Sequence, residues 1–579
     1  MRIASGRIYA VLCALTLPLC ALAIRPVVEM GVMDDWSYIR TAQTLARTGH
    51  IVYNGWATAM LGWQLYLGAL FAKLFGSSFT AVRLSTLLVA MATAFLTHRT
   101  LVRAGIREWN ATLGTLALVL SPLFLCATFS FMTDISGLFC IVLCLYACLR
   151  ALQARTDQSA LAWICFAALS SAIGGTARQI AWLGVLVMVP CTLWLLRRRP
   201  RFLLAGGLLY IFCVAIIFAA LHWFHKQPYS VPEPLVRADF SRRTIPMFAK
   251  GIIGAMLETP LLLLPVLILF LPVFPWKNRR AVTLLSIVCA ACLLFGLLLL
   301  RHSGLSAWLA PWLRNSITIY QFMDSKTFHS DRPVILGTGV RFLLSSLVFI
   351  SVLSFFAFLS TRKKNLFSET QTDSPLQISW YHLGVLFVPF TLAYFALLLP
   401  RAATNELFDR YLLPILTLSM IVILRLYQEQ VQPRLPAATL LGIAIFAAFG
   451  IAGTHDSFAL LRARLALANE LRAAGVPPTA FDGGFEYNSL VQIDLGRFIN
   501  DPKIPILPGD SFHASVKDSY GVCPPIFVDN YPVLSPRYSM AFDPTVCLGP
   551  SGFAPVVYRT WLGPHTNTLY IVKVGHPQQ

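Results

Sequence analysis

Apolar runs of about twenty residues recur from the first positions to about residue 454, separated by short polar loops. A helix of about 20 apolar residues crosses the hydrocarbon core of a bilayer. The runs therefore predict spans near 8–25, 82–101, 110–130, 134–150, 160–176, 179–196, 202–222, 259–275, 281–300, 339–360, 381–400, 411–426 and 437–454. The expected fold class is a polytopic α-helical membrane protein of about 13 spans. The N-terminal basic and apolar stretch is similar to a secretory signal peptide. An uncleaved first span is the favoured reading, because the later spans need it to fix their orientation.

Basic clusters test the count. With a cytoplasmic N-terminus, Arg103/Arg107, Arg150/Arg155, Arg197–Arg201, Lys277/Arg279/Arg280, Arg362–Lys364 and Arg425/Arg434 all fall on the inner side, as the positive-inside rule asks. A crossing at Leu61–Phe75 would invert every later cluster. That stretch is read as a helix that enters the interface and returns.

The outer side then receives loops 26–81, 223–258 and 301–338 and the tail 455–579. The second carries Lys226, Arg237, Arg242, Arg243 and Lys250 beside Glu233 and Asp239; the third carries Trp308, Trp312 and Tyr320. Residues 1–454 form the expected membrane module. The tail is rich in Pro, Gly, Asp and Asn, which predicts a small extracytoplasmic α/β domain. It has a helix over Ser457–Ala474 stopped by Gly475, and strands at Ile526–Val528 and Leu569–Val572 bounded by turn residues. Gly483-Gly484 reads as a turn.

Composition sharpens this picture. Of 579 residues, 57% are hydrophobic and 12% charged, against roughly 25% charged in soluble domains. The net charge of +20 sits largely in loops between apolar runs, where it sets topology, so no nucleic-acid partner is read from it. Eleven of the thirteen cysteines lie in or beside apolar segments, where a thiol usually packs. Cys523 and Cys547 lie in the polar tail and are free to pair in an oxidising compartment. No His/Cys ligand cluster points to a metal, and His50, His222, His225 and His329 are irregularly spaced. No nucleophile triad is recognisable.

The notable chemistry is Gly31-Val-Met-Asp34-Asp35-Trp36-Ser-Tyr38-Ile-Arg40, an acid pair directly after the first span. Either acid is able to cap an amphipathic helix over Trp36–Thr48 that ends at Gly49, and either is able to serve as a base. Asp134 starts a span on the same outer side, where an ionisable group asks for a partner. Arg178, in Gly174-Gly-Thr-Ala-Arg-Gln179, opposes the positive-inside trend and asks for an anion, either Asp134 or a phosphate. Arg83 and Arg410 start further spans from that side.

These residues in this order resemble the GT-C superfamily of membrane glycosyltransferases, in its protein O-mannosyltransferase and aminoarabinose transferase branch. The matching stretches are the acid pair with Tyr38, the interfacial Tyr66–Gly76, Arg83-Leu-Ser85, Thr133-Asp134 and Phe408-Asp-Arg-Tyr-Leu-Leu-Pro414. The resemblance is best over 8–200 and again near 405–415. It departs where Gly62-Trp-Gln-Leu65 replaces the His-Pro or Pro-Pro that often precedes the interfacial helix. It implies an enzyme that moves a sugar from a polyprenyl-phosphate donor to a lipid, glycan or protein acceptor, inverting the anomeric carbon. Asp34 would be the base. Asp35, Tyr38, Arg83, Asp134, Arg178, Gln179, Arg410 and Tyr411 would bind substrate, with Arg83 and Arg178 facing the leaving phosphate. No cofactor is implied, and a divalent metal has no support. The implied location is a bacterial inner membrane, with site and tail outside. The alternative is a multispan transporter or lipid flippase, which would favour broken helices and mid-bilayer charges.

Overall fold

The computed structural model describes residues 2–57, 59–197, 200–232, 241, 244–323, 328–362, 377–404, 407–501, 504, 507–510 and 521–575. Arg237, Arg242, Arg243, Glu233 and Asp239 of the second outer loop lie outside the described residues, as do Lys363 and Lys364.

The helices are, in order, α1 Arg2–Ile24, α2 Asp35–Thr48, α3 Gly62–Phe75, α4 Phe79–Arg103, α5 Glu108–Val119, α6 Pro122–Thr128, α7 Thr133–Leu152, α8 Asp157–Ala177 and α9 Val189–Leu195. There follow α10 Pro200–His225, α11 Thr244–Leu262, α12 Leu264–Leu267, α13 Arg279–Arg301, α14 Thr338–Arg362, α15 Trp380–Leu398, α16 Leu413–Gln430, α17 Thr439–Ala473 and α18 Phe485–Gly496. Among the described residues, 11 helices are long and apolar enough to cross a membrane, or 12 if the bent pair α5–α6 counts as one span. Their outward faces carry bare apolar side chains, with Leu22 75%, Leu204 71% and Leu300 85% exposed. Lipid, not water, is the solvent that tolerates such a surface.

All thirteen expected stretches appear as apolar helical segments, three of them altered. The third is bent by 65° between α5 and α6. There Pro122 offers no N–H to the preceding turn and the Ser121 hydroxyl accepts from Phe124 N, restarting the helix. The sixth, Gln179–Leu195, is short and broken. Ser171 of α8 inserts into its ladder, donating to Ala181 O and accepting from Val185 N, and a π turn follows at Gly184–Met188. The eighth is displaced: its helix runs Thr244–Leu262, about fifteen residues early, and 264–275 holds only the short α12, a 3-10 turn and coil. Lys250, among the charges of 223–258, made its first half read as loop. Glu258 is fully buried because its carboxylate accepts from Trp312 N and Leu313 N at 2.7 and 3.2 Å.

At 14 residues, α3 is about 21 Å long and cannot cross the ~30 Å core. The two ends of the bundle are chemically distinct. At one end Arg103 donates to Gln153, Arg425 to Ala104 O, and Gln428 accepts from Arg107 N. At the other end the loop after α1 meets the starts of α4, α7 and α16 and the end of α8.

The tail continues the bundle. The 35-residue α17 is about 52 Å long, so it passes unbroken through the 454/455 boundary and projects beyond the apolar core. Gly475, at φ +79°, ends it. Beyond it, β1 Phe481–Asp482, β2 Tyr538–Ala541, β3 Val556–Arg559 and β4 Thr566–Lys573 form a sheet ordered β1-β2-β4-β3. Only β1–β2 is parallel. The strand expected at Ile526–Val528 is a turn: two prolines precede it, and Phe527 sits at φ +57°. Leu569–Val572 does lie in β4. Cys523 and Cys547 are disulfide-bonded. A buried ion pair, Arg464–Glu486 at 2.7 Å, ties α17 to α18, and one apolar core runs from α1 through Phe481, Met540 and Leu569 of the tail.

Candidate active site

The acid pair divides its labour by environment. Asp35 is fully buried: Arg83 Nε and Nη2 donate to its oxygens at 2.8 and 3.1 Å, with Val32 N and Phe131 N at 2.7 and 3.1 Å. Arg83 Nη1 and Nη2 also donate to Val28 O and Met30 O at 3.1 and 2.6 Å. Every polar atom of this pair is occupied, and neither residue lines the cavity. The expectation that Arg83 faces a leaving phosphate and that Asp35 binds substrate is therefore corrected. Together they fold the loop after α1 into shape.

That loop turns Met33 into the left-handed region at φ +55°. Such strain in a non-glycine residue is held only where the surroundings over-determine it. The next residue, Asp34, thereby points into a cavity of about 1450 Å³. Asp34 occupies the N-cap position of α2 yet makes no capping hydrogen bond. Its Oδ1 accepts from Trp56 Nε1 at 3.0 Å and its Oδ2 lies 4.0 Å from Arg410 Nη2. Its side chain is 27% exposed, against 0% for Asp35. The capping reading thus fails for Asp34. Burial raises its pKa above the ordinary carboxylate value, while Arg410 and the Trp56 bond pull the other way.

Around Asp34 the termini of four spans converge. Asp134, at the start of α7, sits between two arginines: Arg178 Nη2 at 3.1 Å and Arg410 Nε at 3.5 Å. Arg178 also donates to Thr133 Oγ1 at 2.7 Å and lies over the Tyr411 ring, 4.9 Å from its centroid. Arg410 donates to Asn315 Oδ1 as well. Tyr38, Gln179, Arg178, Arg410 and Tyr411 all line the cavity; Asp134 stands behind the arginines it orients. Burial raises the Tyr38 hydroxyl far above its normal pKa, so it remains a neutral donor.

Several residues here had no sequence signal. Trp56 is a single aromatic in a loop, and Asn315 reaches Arg410 only because two buried carboxylates strap its loop. Glu258 takes Trp312 N and Leu313 N, and Asp409 takes Ser316 N and Ile317 N at 2.8–3.0 Å. Asp409 lay inside a matched stretch without a role of its own.

The cavity has two characters. Among the described residues its lining holds Arg178, Lys250, Arg314, Arg332, Arg401 and Arg410 against Asp34 and Asp501, a cationic excess that fits an anionic substrate. Away from Asp34 it becomes an apolar trough between α11, α13, α14 and α15. Val288, Ala291, Cys292 and Phe295 line it at i, i+3, i+4 and i+7, one face of α13. No group of His, Cys, Asp and Glu able to hold a metal occurs among the described residues.

No protein-family model and no curated protein matches the chain. Among solved structures, ArnT from Cupriavidus metallidurans in the apo state overlays 99% of this chain and 98% of its own at 14% identity, with a TM-score of 0.39. ArnT bound to undecaprenyl phosphate gives 97%, 97%, 13% and 0.39. The S. cerevisiae protein O-mannosyltransferase complex bound to its sugar donor aligns over 38% of this chain at 14% identity and a TM-score of 0.31, spanning 33% of the yeast chain. At those scores the overlays carry no chemistry across, and what the site does follows from its own residues.

Proposed function

We propose that this protein is an inverting membrane glycosyltransferase that takes its sugar from a polyprenyl-phosphate donor. The observation that carries the reading is one cavity in which a largely buried carboxylate, two oriented arginines and an intramembrane apolar trough meet. The trough accommodates an isoprenoid tail, which positions the phosphate at Arg178 and Arg410. The acceptor hydroxyl attacks the anomeric carbon from the face opposite the phosphate. The bond from that carbon to the phosphate oxygen breaks, its electron pair leaving on the polyprenyl phosphate, and the hydroxyl proton passes to Asp34. Fixed cations aimed at a developing negative charge are worth most in such a water-poor site. A base whose pKa burial has raised takes a proton more readily than an ordinary aspartate. Asp134 keeps both guanidinium groups in place, Tyr38 and Gln179 supply neutral polar contacts to the sugar, and Tyr411 stacks against the arginines.

With the basic ends of the bundle on the cytoplasmic side, the site and the tail face outward, as a bacterial inner membrane enzyme acting on envelope acceptors would place them. The acceptor is a hydroxyl on lipid, glycan or protein. A transporter would favour broken helices and charge near mid-bilayer; two spans here are broken, but the site charges stand at helix ends. Purified protein in liposomes, supplied with polyprenyl-phosphate sugars and an envelope lipid extract, should release polyprenyl phosphate and glycosylate an acceptor. Solute or lipid movement across the bilayer without turnover would replace this reading with the transporter.

A further inference from the structure

Trp56 lies on the loop between α2 and α3, and that loop is clamped from several directions. Ser37 and Asn54 exchange hydrogen bonds at 2.6 and 2.9 Å. Gly55 N donates to Tyr229 O at 2.9 Å, and Ile499 N, from the C-terminal segment, donates to Asn54 O at 2.8 Å. Gly55 adopts φ +84°, and a Cβ there would lie 2.4 Å from Ile504 Cδ1 and 3.0 Å from Ile499 O. The C-terminal segment therefore presses directly on this backbone, and only glycine fits between.

The indole is held as closely as the loop. Its ring centroid lies 5.7 Å from Trp36, 5.3 Å from Phe485 and 6.3 Å from Phe527. Two of these three rings belong to the C-terminal segment. Phe527 adopts φ +57° and stays 54% exposed at the cavity wall. A bulky residue pays for that conformation, so the surroundings must fix it.

We propose that the C-terminal segment positions the general base: Phe485 and Phe527 hold the Trp56 indole so that its single N–H is aimed at Asp34 Oδ1. This rests on the reading of Asp34 as base. An indole donates one hydrogen bond and accepts none, so the bond favours the ionised carboxylate. It also fixes the rotamer that leaves Oδ2 facing Arg410 and the cavity. Trp56 is thus a positioning residue, and the tail acts on the chemistry through it. The other charged or titratable groups around Asp34 are Arg410 ahead of α16, Asp35 and Tyr38 on α2, Asp134 on α7 and Tyr531 of the C-terminal segment. All of them remain when Trp56 is changed to Phe, which keeps an aromatic ring and deletes the donor.

The test is the pH dependence of kcat/KM in liposomes for wild type, Trp56→Phe, Phe527→Ala and the double variant, with thermal unfolding measured in parallel. Loss of a hydrogen bond to a charged group should move the acid limb of Trp56→Phe up by about one pH unit. Phe527→Ala should move it in the same direction by less, and the double variant no further than Trp56→Phe. Phe485→Leu gives a second route to the same readout if Phe527→Ala unfolds. An unshifted limb in Trp56→Phe, while Asp34→Asn is inactive, overturns the proposal. So does a Phe527→Ala variant that changes only the acceptor KM. Full activity in Asp34→Asn is a different result, and it removes the base itself.

Discussion

Arg83 clasps the Asp35 carboxylate through Nε and Nη2 at 2.8 and 3.1 Å, with side-chain exposures of 4% and 0%. The pair is the latch of the loop after α1, and Asp34 owes its direction to it. Removing one partner leaves the other as a buried, uncompensated charge. Asp35→Asn or Arg83→Met should each destabilise the protein by about 3–5 kcal/mol. The double variant should cost less than the sum of the two. Thermal unfolding in detergent checks this, and any loss of turnover should track the loss of folded protein.

Asp34 should behave in the opposite way. Its folded pKa lies above the unfolded value of 3.8, with burial the main cause. Across that window the native state binds more protons than the unfolded chain. Its contribution to stability is therefore present at low pH and falls as pH rises through the folded pKa. Asp34→Asn removes an ionisable group that folding disfavours, and its amide oxygen still accepts from Trp56. Its unfolding temperature at neutral pH should equal or exceed that of wild type.

Arg410 couples the two halves of the site, 3.5 Å from Asp134 and 4.0 Å from Asp34. Arg410→Gln should lower kcat by about 10²–10³-fold through lost stabilisation of the leaving phosphate. Because Arg410 favours the ionised form of Asp34, the acid limb of kcat/KM should also move to higher pH. A pH–rate profile reads both effects in one experiment.

The trough makes a claim about the donor's tail. Ala291 faces it from α13, so Ala291→Trp should obstruct a long isoprenoid and spare a short one. The expected result is a KM raised about tenfold or more for the long-chain donor, with kcat on a short-chain analogue unchanged. Equal effects on both donors would place the tail elsewhere.

How much of this was legible in the chain follows from which residues act locally. Hydrophobic run length located most of the membrane segments, because burial in lipid is decided by about twenty neighbours at a time, but it displaced the eighth, α11. The loop 223–258 carries Lys226 and Lys250 among its charges, which is why it reads as an outer loop. The start of α11 was hidden because nothing in the sequence shows that its Glu258 is satisfied by Trp312 N and Leu313 N from a distant loop. The site's first residue, Asp34, was visible beside Asp35; their division of labour was not. That division depends on Arg83, 48 positions away from Asp35, folding back onto the loop. Arg83 looked like a phosphate ligand because a cation starting an outer helix end has two ordinary partners, a substrate or a neighbouring acid. Trp56 was invisible for a related reason. Its donor reaches Asp34 only through Gly55 and through rings contributed from beyond residue 480. The tail's α/β character was readable from its turn residues. The continuity of α17 across position 455 was not, because the apolar run gives way to polar residues while the helix continues.

The most direct measurement is turnover of a polyprenyl-phosphate sugar by Asp34→Asn beside wild type, in matched liposomes, with the anomeric configuration of the product determined. The expected result is an inverted linkage from wild type and a rate reduced by at least about 10²-fold in the variant, with binding of the donor retained. Full activity in Asp34→Asn, or a product that retains the donor's configuration, would contradict a single-displacement reaction with Asp34 as its base.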